Sequence, residues 1–259
     1  MNDRDYRNLL LRQIENSKKR GIRVYLTWLF QEVNKNLEGD YILEVGAGAG
    51  ISRKFLSLKN LIQTDLLFFP KSGVKSKVDA QNLPFRDNFF DSAFAVDAIH
   101  HIPKPHLAIL ELCRVVKPGG VVVIVEPYVS FFSYLFYKLF HFENTTWKYQ
   151  INIDADSVSN LASEGEQSVL QALLNNQNFI NLLKNNPSKL VTICHKYISP
   201  ISFLLTGGLT RPIPISNKII SVAIKFESYI PQVILQFIAF RQILILRISD
   251  KKTLINKQK

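Results

Sequence analysis

The chain has 259 residues, 47% hydrophobic and 20% charged, with a formal net charge of +11. Such a composition excludes a disordered or collagen-like chain, and the length leaves room for one large α/β domain carrying insertions. Cys113 and Cys194 are too few for a disulfide framework or a zinc site, which makes a reducing, cytoplasmic setting the expectation. The N-terminal stretch MNDRDYRNLL has acids where a secretory leader has a basic and then an apolar stretch, so no targeting peptide is expected. Two uncharged windows, residues 197–210 and 228–240, both contain Pro and fall short of the roughly 18–20 apolar residues of a spanning helix.

In chain order, two helical patterns come first. Segment 5–20 is polar, with Tyr6, Leu9, Leu10 and Ile14 at helical spacing. Segment 22–37 is more apolar, with Val24, Leu26, Leu29, Phe30 and Val33, and stops at Gly39-Asp40. Short apolar runs follow at 41–45 and 61–64, the first ending in a glycine-rich turn and the second at Asp65. Segment 92–96 is a further strand candidate, and 105–116 reads as a helix ended by the turn Lys117-Pro118-Gly119-Gly120. Then comes 121–125, five consecutive β-branched residues, the pattern of a strand buried on both faces. Strands alternating with helices through short turns predict parallel βαβ units in a doubly wound sheet. Beyond Pro127 lie an aromatic run at 128–142, a polar stretch at 143–167 and a helix around 168–185. Strands are expected at 190–198 and 241–249, with helical character between them, above all at 218–229.

The chemistry-bearing signal is Leu43-Glu44-Val45-Gly46-Ala47-Gly48-Ala49-Gly50. Glycines in a turn after a strand let the backbone approach a ligand, because no Cβ intervenes and positive φ is free. The spacing is G-x-G-x-G with an acid two residues ahead, and Ile51 stands where a dinucleotide fingerprint wants its third glycine. The acid-and-glycine pattern resembles motif I of class I S-adenosylmethionine (SAM)-dependent methyltransferases, and the resemblance continues in order. Asp65 ends the next strand, where that family binds both ribose hydroxyls. Asp79-Ala80, Leu83-Pro84-Phe85 and Phe90-Asp91 resemble its adenine-binding segment. Residues 95–102, AVDAIHHI, are similar to its fourth-strand segment, and Lys117–Gly120 matches the turn before its fifth strand. The branch most resembled contains the ubiquinone and menaquinone C-methyltransferases.

The resemblance, which covers about a third of the chain and stops near Pro127, implies a Rossmann-like sheet, parallel except for one antiparallel strand, with helices on both faces; the apolar and aromatic segments beyond Pro127 read as two cap insertions. It also implies SAM as methyl donor and S-adenosylhomocysteine (SAH) as product. Cofactor contacts would come from Glu44, Gly46, Ala47, Gly48, Gly50, Asp65, Leu66, Asp79, Ala80 and Asp97. The organisation expected is N-terminal helices at 1–38, a SAM-binding core at 39–127, an aromatic cap with a helix at 128–189, and the last two strands with an apolar basic insertion at 190–259. The sixth strand of this family is parallel and the seventh antiparallel, which would be 190–198 and 241–249.

Where a general base is needed, His101 is the first candidate and Glu126, at the tip of a strand, the second; Tyr128 has a similar place. The spacing HHIPKPH fits no metal site, and structural roles suit at least two of the three histidines. The aromatic run is either a core helix or a lid over the carboxyl edge of the sheet, where doubly wound folds bind ligands. Beyond Ile180, twelve basic residues face only Glu227 and Asp250. A basic segment this apolar suits an anionic membrane surface, with Lys218, Lys225, Arg241 and Arg247 toward phosphates; a solvated basic face is the plainer alternative. The acceptor expected is small, apolar or lipid-linked. A dehydrogenase, a non-catalytic scaffold and a nucleic-acid methyltransferase are the rivals, the last without the tetrapeptide or Pro-Cys motifs of DNA methylation.

Overall fold

The computed structural model describes residues 3–67, 72–75, 77–140, 145–153, 165–185, 189–209 and 212–250. Phe142 of the aromatic run and much of the polar stretch 143–167 lie outside these. The β-branched run is the centre of the molecule. Val121, Val122, Val123, Ile124 and Val125 are all fully buried in β4 (Val116–Pro127). Val122 and Ile124 join one apolar layer, and Val121, Val123 and Val125 join another, so this strand is covered on both faces as its sequence predicts.

The remaining strands are β1 (Tyr41–Val45), β2 (Asn60–Thr64), β3 (Phe90–Val96), β5 (Lys189–Ile198) and β6 (Arg241–Asp250), in the spatial order β2-β1-β3-β4-β6-β5. Strands β1 to β4 pair in parallel, and β6 lies antiparallel to both β4 and β5. The last two strands therefore have the expected directions. The layer on one face takes in α3 (Pro105–Val115), α5 (Val169–Asn175) and α6 (Gln177–Lys184). The other takes in α2 (Arg20–Asn34) and α8 (Asn217–Glu227). Helix α1 (Asp3–Ser17) packs on α2.

Three local features differ from the sequence expectation. No α-helix follows the glycine turn, only a 3-10 turn at Ile51–Lys54, because residues 46–59 must hold three glycines and the return to β2. The helix expected at 168–185 is two helices that break at Asn176, whose side chain accepts from the Phe179 N–H at 3.0 Å and caps α6. Residues 117–120 do not merely precede a strand. Pairing jumps from Phe90↔Val116 to Ser92↔Val121, so they bulge out of the β3–β4 ladder.

Strands β1, β3 and β4 run toward the same carboxyl edge, and β6 starts there, with Arg241 opposite Pro127. Helix α4 (Phe131–Phe140) follows β4 at this edge. Helices α7 (Ser202–Thr206), α8 and α9 (Gln232–Ile238) fill the connection from β5 to β6, with α4 against α9 and α2 against α7 and α8. Both segments expected as caps thus attach at the edge where ligands bind in such sheets. Helix α4 is two-sided: Ser133 and Tyr137 are buried, whereas Phe131, Phe132, Leu135 and Leu139 are each at least half exposed.

The bulge yields a stability test. A Cβ at Gly120 would stand 2.1 Å from the Asp91 carbonyl oxygen, a backbone atom that cannot swing away. Gly120→Ala is expected to lower stability by about 1–3 kcal/mol, the usual range for overpacking. Urea unfolding monitored by circular dichroism reads this as a lower midpoint.

Candidate active site

The glycine turn leaves β1 with Gly46, Gly48 and Gly50 all at positive φ, 68°, 51° and 68°. A Cβ on Gly46 would lie 2.3 Å from that of Ala98, so the turn and the end of β3 meet at a distance only glycine permits. The Ala47 N–H donates to the Thr64 carbonyl at 3.0 Å. The buried Asp65 carboxylate closes the turn from the β2 side, accepting from Gly48 N–H at 2.8 Å and Leu67 N–H at 2.9 Å. Leu66, between them, is exposed. Glycine turn, Asp65 and Leu66 thus come together at one strand-end crevice.

Glu44 lies beneath the turn, 4% exposed, and its carboxylate accepts from Ser52 Oγ and from Gln63 Nε2. Burial pushes its pKa from 4.5 up to about 7, against the pull of those two hydrogen bonds and of Arg53. Asp79 accepts from the Gln81 backbone and side-chain N–H groups, each at 2.9 Å. The Gln81 side-chain Oε1 in turn accepts from Lys104 N–H, tying the segment to the start of α3. Ala80 is buried in the core layer beside Leu83.

Beyond β3, Asp97 has positive φ (52°) and pairs through Oδ1 with Arg241 Nη2. At the tip of β4, Glu126 is 1% exposed. It accepts from Ala98 N–H at 3.0 Å and Ile99 N–H at 2.8 Å through one oxygen, and meets His100 Nδ1 through the other. Burial alone would raise the Glu126 pKa, but the His100 charge and these hydrogen bonds hold it below the usual carboxylate range. The buried His100 ring packs against the exposed His101 ring at 4.0 Å between centroids, and Gly165 approaches both. Tyr128 turns away, donating to the Gln236 carbonyl.

Two of the basic residues assigned above to lipid phosphates are elsewhere. Arg241 is 4% exposed, with its guanidinium at the carboxyl edge on the ring of Phe203. Arg247, at the Val121 end of β6, pairs with Glu38. Charge counting treats every Arg as a surface group and could not find the Arg241–Asp97 pair, whose partners are 144 residues apart. Lys218 and Lys225 are exposed on α8.

Glu44 gives the site a pH signature. The unfolded chain ionises it above 4.5, but the fold penalises the ionised form until about 7, so stability falls as pH rises through that window. Wild type is expected to lose roughly 2–3 kcal/mol relative to Glu44→Gln on going from about pH 5 to about pH 8. Paired urea titrations at the two pH values measure the difference.

Residues 43–124 match a family model described as a methyltransferase domain. The chain is 28% identical over 137 residues to the ubiquinone/menaquinone biosynthesis C-methyltransferase of Cellvibrio japonicus, covering 48% of this chain and 53% of that one. It is 29% identical over 106 residues to the phosphatidylethanolamine N-methyltransferase of Cereibacter sphaeroides, covering 35% and 52%. The chain thus spans about half the length of these curated relatives. A SAM-dependent methyltransferase structure from Archaeoglobus fulgidus aligns with 90% of this chain and 98% of its own at 15% identity and a TM-score of 0.49. Residues 43–124 thus match a methyltransferase domain, a kind of domain for which S-adenosylmethionine is the methyl donor.

Proposed function

We propose that the protein transfers a methyl group from SAM to a small apolar or lipid-linked acceptor. What supports this best is the juxtaposition at one sheet edge of the glycine crevice with an open apolar groove. The crevice suits the donor. A Cβ at Gly46 or Gly50 would strike Ala98 or press on Val74, and Asp65 offers a carboxylate beside it. The turn 46–50, with Ala47, would receive the methionine end, Asp65 the ribose hydroxyls, and Leu66, Asp79 and Ala80 the adenine. Glu44, turned inward to Ser52 and Gln63, holds the turn from below. Asp97 sits next to Ala98 and so beside Gly46. SAM brings an activated methyl on a sulfonium, which leaves the protein to align the acceptor and exclude water.

The groove, about 460 Å³, is lined by Phe132, Leu135, Phe136, Leu139, Leu204 and Ile213 among others, and suits an apolar acceptor. His101 is the exposed ring of the site and the residue we assign as proton acceptor where the nucleophile carries a proton. Glu126 acts through His100, whose ring backs that of His101; it is a positioning residue.

A second observation favours a membrane-borne acceptor. Val222, Phe226 and Tyr229 around α8, and Val233 and Phe237 on α9, are each more than half exposed, with Lys218 and Lys225 exposed beside them. No described helix is long and apolar enough to cross a bilayer. Apolar side chains among lysines suit an interfacial element at an anionic cytoplasmic leaflet, each basic contact contributing about 1 kcal/mol.

Isothermal calorimetry tests the donor assignment: SAH is expected to bind at micromolar concentration and NAD not at all. Asp65→Ala removes both the ribose acceptor and the Gly48 tether, and should weaken SAH binding by on the order of 2–4 kcal/mol. NAD binding without SAH, or an unchanged affinity in the variant, defeats it. Flotation with phosphatidylglycerol vesicles tests the surface: binding is expected at low salt and release at high salt, and no binding at low salt rejects the membrane reading.

A further inference from the structure

Among the described residues, Arg241 stands apart from the other Lys and Arg side chains, being 4% exposed at the first position of β6, in register with Pro127 and Ile198. Its Nη2 pairs with Asp97 and its guanidinium lies 5.5 Å from the centre of the Phe203 ring. Its Nε–H is buried and has no hydrogen-bond partner among the described residues. Nearby polar groups are committed elsewhere. The Tyr25 hydroxyl donates to Ser199 Oγ at 3.1 Å, and the Tyr137 hydroxyl donates to the Phe240 carbonyl at 2.7 Å. A buried cationic donor left unpaired is costly, so its natural complement is an oxygen brought by a ligand.

The surroundings say where such an oxygen would come from. Asp97, the anchor of Arg241, adjoins Ala98, which touches Gly46 of the donor crevice. On the other side, Phe203 packs on Phe240, and Phe240 on Phe132 and Phe136, two side chains of the apolar groove. Arg241 is therefore a buried cation between the glycine turn and the groove. SAM held at the glycine turn would bring its sulfonium to the same edge as the Arg241–Asp97 pair, and an acceptor anion would balance that positive charge.

We propose that Arg241 binds an ionised oxygen of the methyl acceptor, a carboxylate or a phenolate, while the apolar remainder of the acceptor lies toward Phe240 and the groove. This rests on the methyl-transfer reading for its ligand, but its test does not require turnover. Octanoate and octan-1-ol share a tail and differ in the anion; 4-nitrophenolate supplies the aromatic alternative. Binding of each to the full chain is measured by calorimetry with and without saturating SAH, in wild type, Arg241→Met and Arg241→Lys.

Wild type is expected to prefer octanoate or 4-nitrophenolate over octanol by about ten- to a hundredfold, the range for one charged hydrogen bond. Arg241→Met should abolish that preference while keeping octanol and SAH affinities within about threefold, a span below 1 kcal/mol. Arg241→Lys should retain part of it. Which anion binds identifies the acceptor's oxygen. Equal binding of anions and octanol in wild type, equal loss of all three probes in Arg241→Met, or no probe binding at all overturns the proposal. Should Arg241→Met fail to fold, Arg241→Lys and the wild-type anion-to-alcohol ratio still decide. Failure of SAH to bind any form, with the anion preference intact, would instead count against the methyltransferase reading alone.

Discussion

A carboxylate that accepts two backbone N–H groups fastens a turn to whatever element carries the carboxylate, and this chain uses that device repeatedly. Asp65 holds Gly48 and Leu67, Asp91 holds Asp40 and Tyr41, Glu126 holds Ala98 and Ile99, and Glu227 holds Ile201 and Ser202. Hydrogen bonds to an ionised group contribute roughly 1.5–3 kcal/mol each, more than neutral ones, and they satisfy donors that a turn would otherwise leave unpaired. These bonds tie irregular backbone at the strand ends to the strands themselves. A site built from turns depends on this, because positioning a reactant to a fraction of an ångström requires a rigid support.

The same physics explains why the two most buried acids of the site differ. Glu126 has two backbone N–H groups and His100 to offset the loss of water, and its pKa falls. Glu44 has only a hydroxyl and an amide in direct contact, and its pKa climbs to about 7. Neutral partners do not repay the desolvation of a charge, whereas a cation and aligned N–H dipoles do. Glu44 is thus the weak point beneath the glycine turn at alkaline pH, whereas Glu126 remains an ionised anchor for Ala98 and Ile99.

Much of this was legible in the sequence because it is local. The run Val121–Val125, the bounds of β1 and the spacing of the glycines each depend on residues within one strand or turn. The directions of β5 and β6 came from the family resemblance, and the pairing bears them out. What escaped is non-local. Nothing near Arg241 marks it as buried, since its surroundings are assembled from Asp97, Phe203 and Tyr25, far away along the chain. The aromatic run offered a choice between core and lid that periodicity could not make, and α4 turns out to present one face to each role. The break at Asn176 hides for another reason: an N-cap inside an apolar pattern resembles any polar helix residue until its partner is known.

Residues 97–99 are where these constraints converge. Asp97 reaches Arg241 on β6, the Ala98 side chain meets Gly46 on the β1 turn, and the Ala98 and Ile99 N–H groups are held by Glu126 on β4. Asp97 adopts positive φ to do so, a conformation uncommon outside glycine though Asp is among the residues that tolerate it. A non-glycine residue persists there only when its surroundings fix it, and here three strands do. One short segment is thus shared by the glycine turn, the buried guanidinium and the His100–Glu126 pair. The Ala98 side chain meets Gly46 at a closeness only glycine permits, so the turn after β1 and the segment after β3 are packed as one unit.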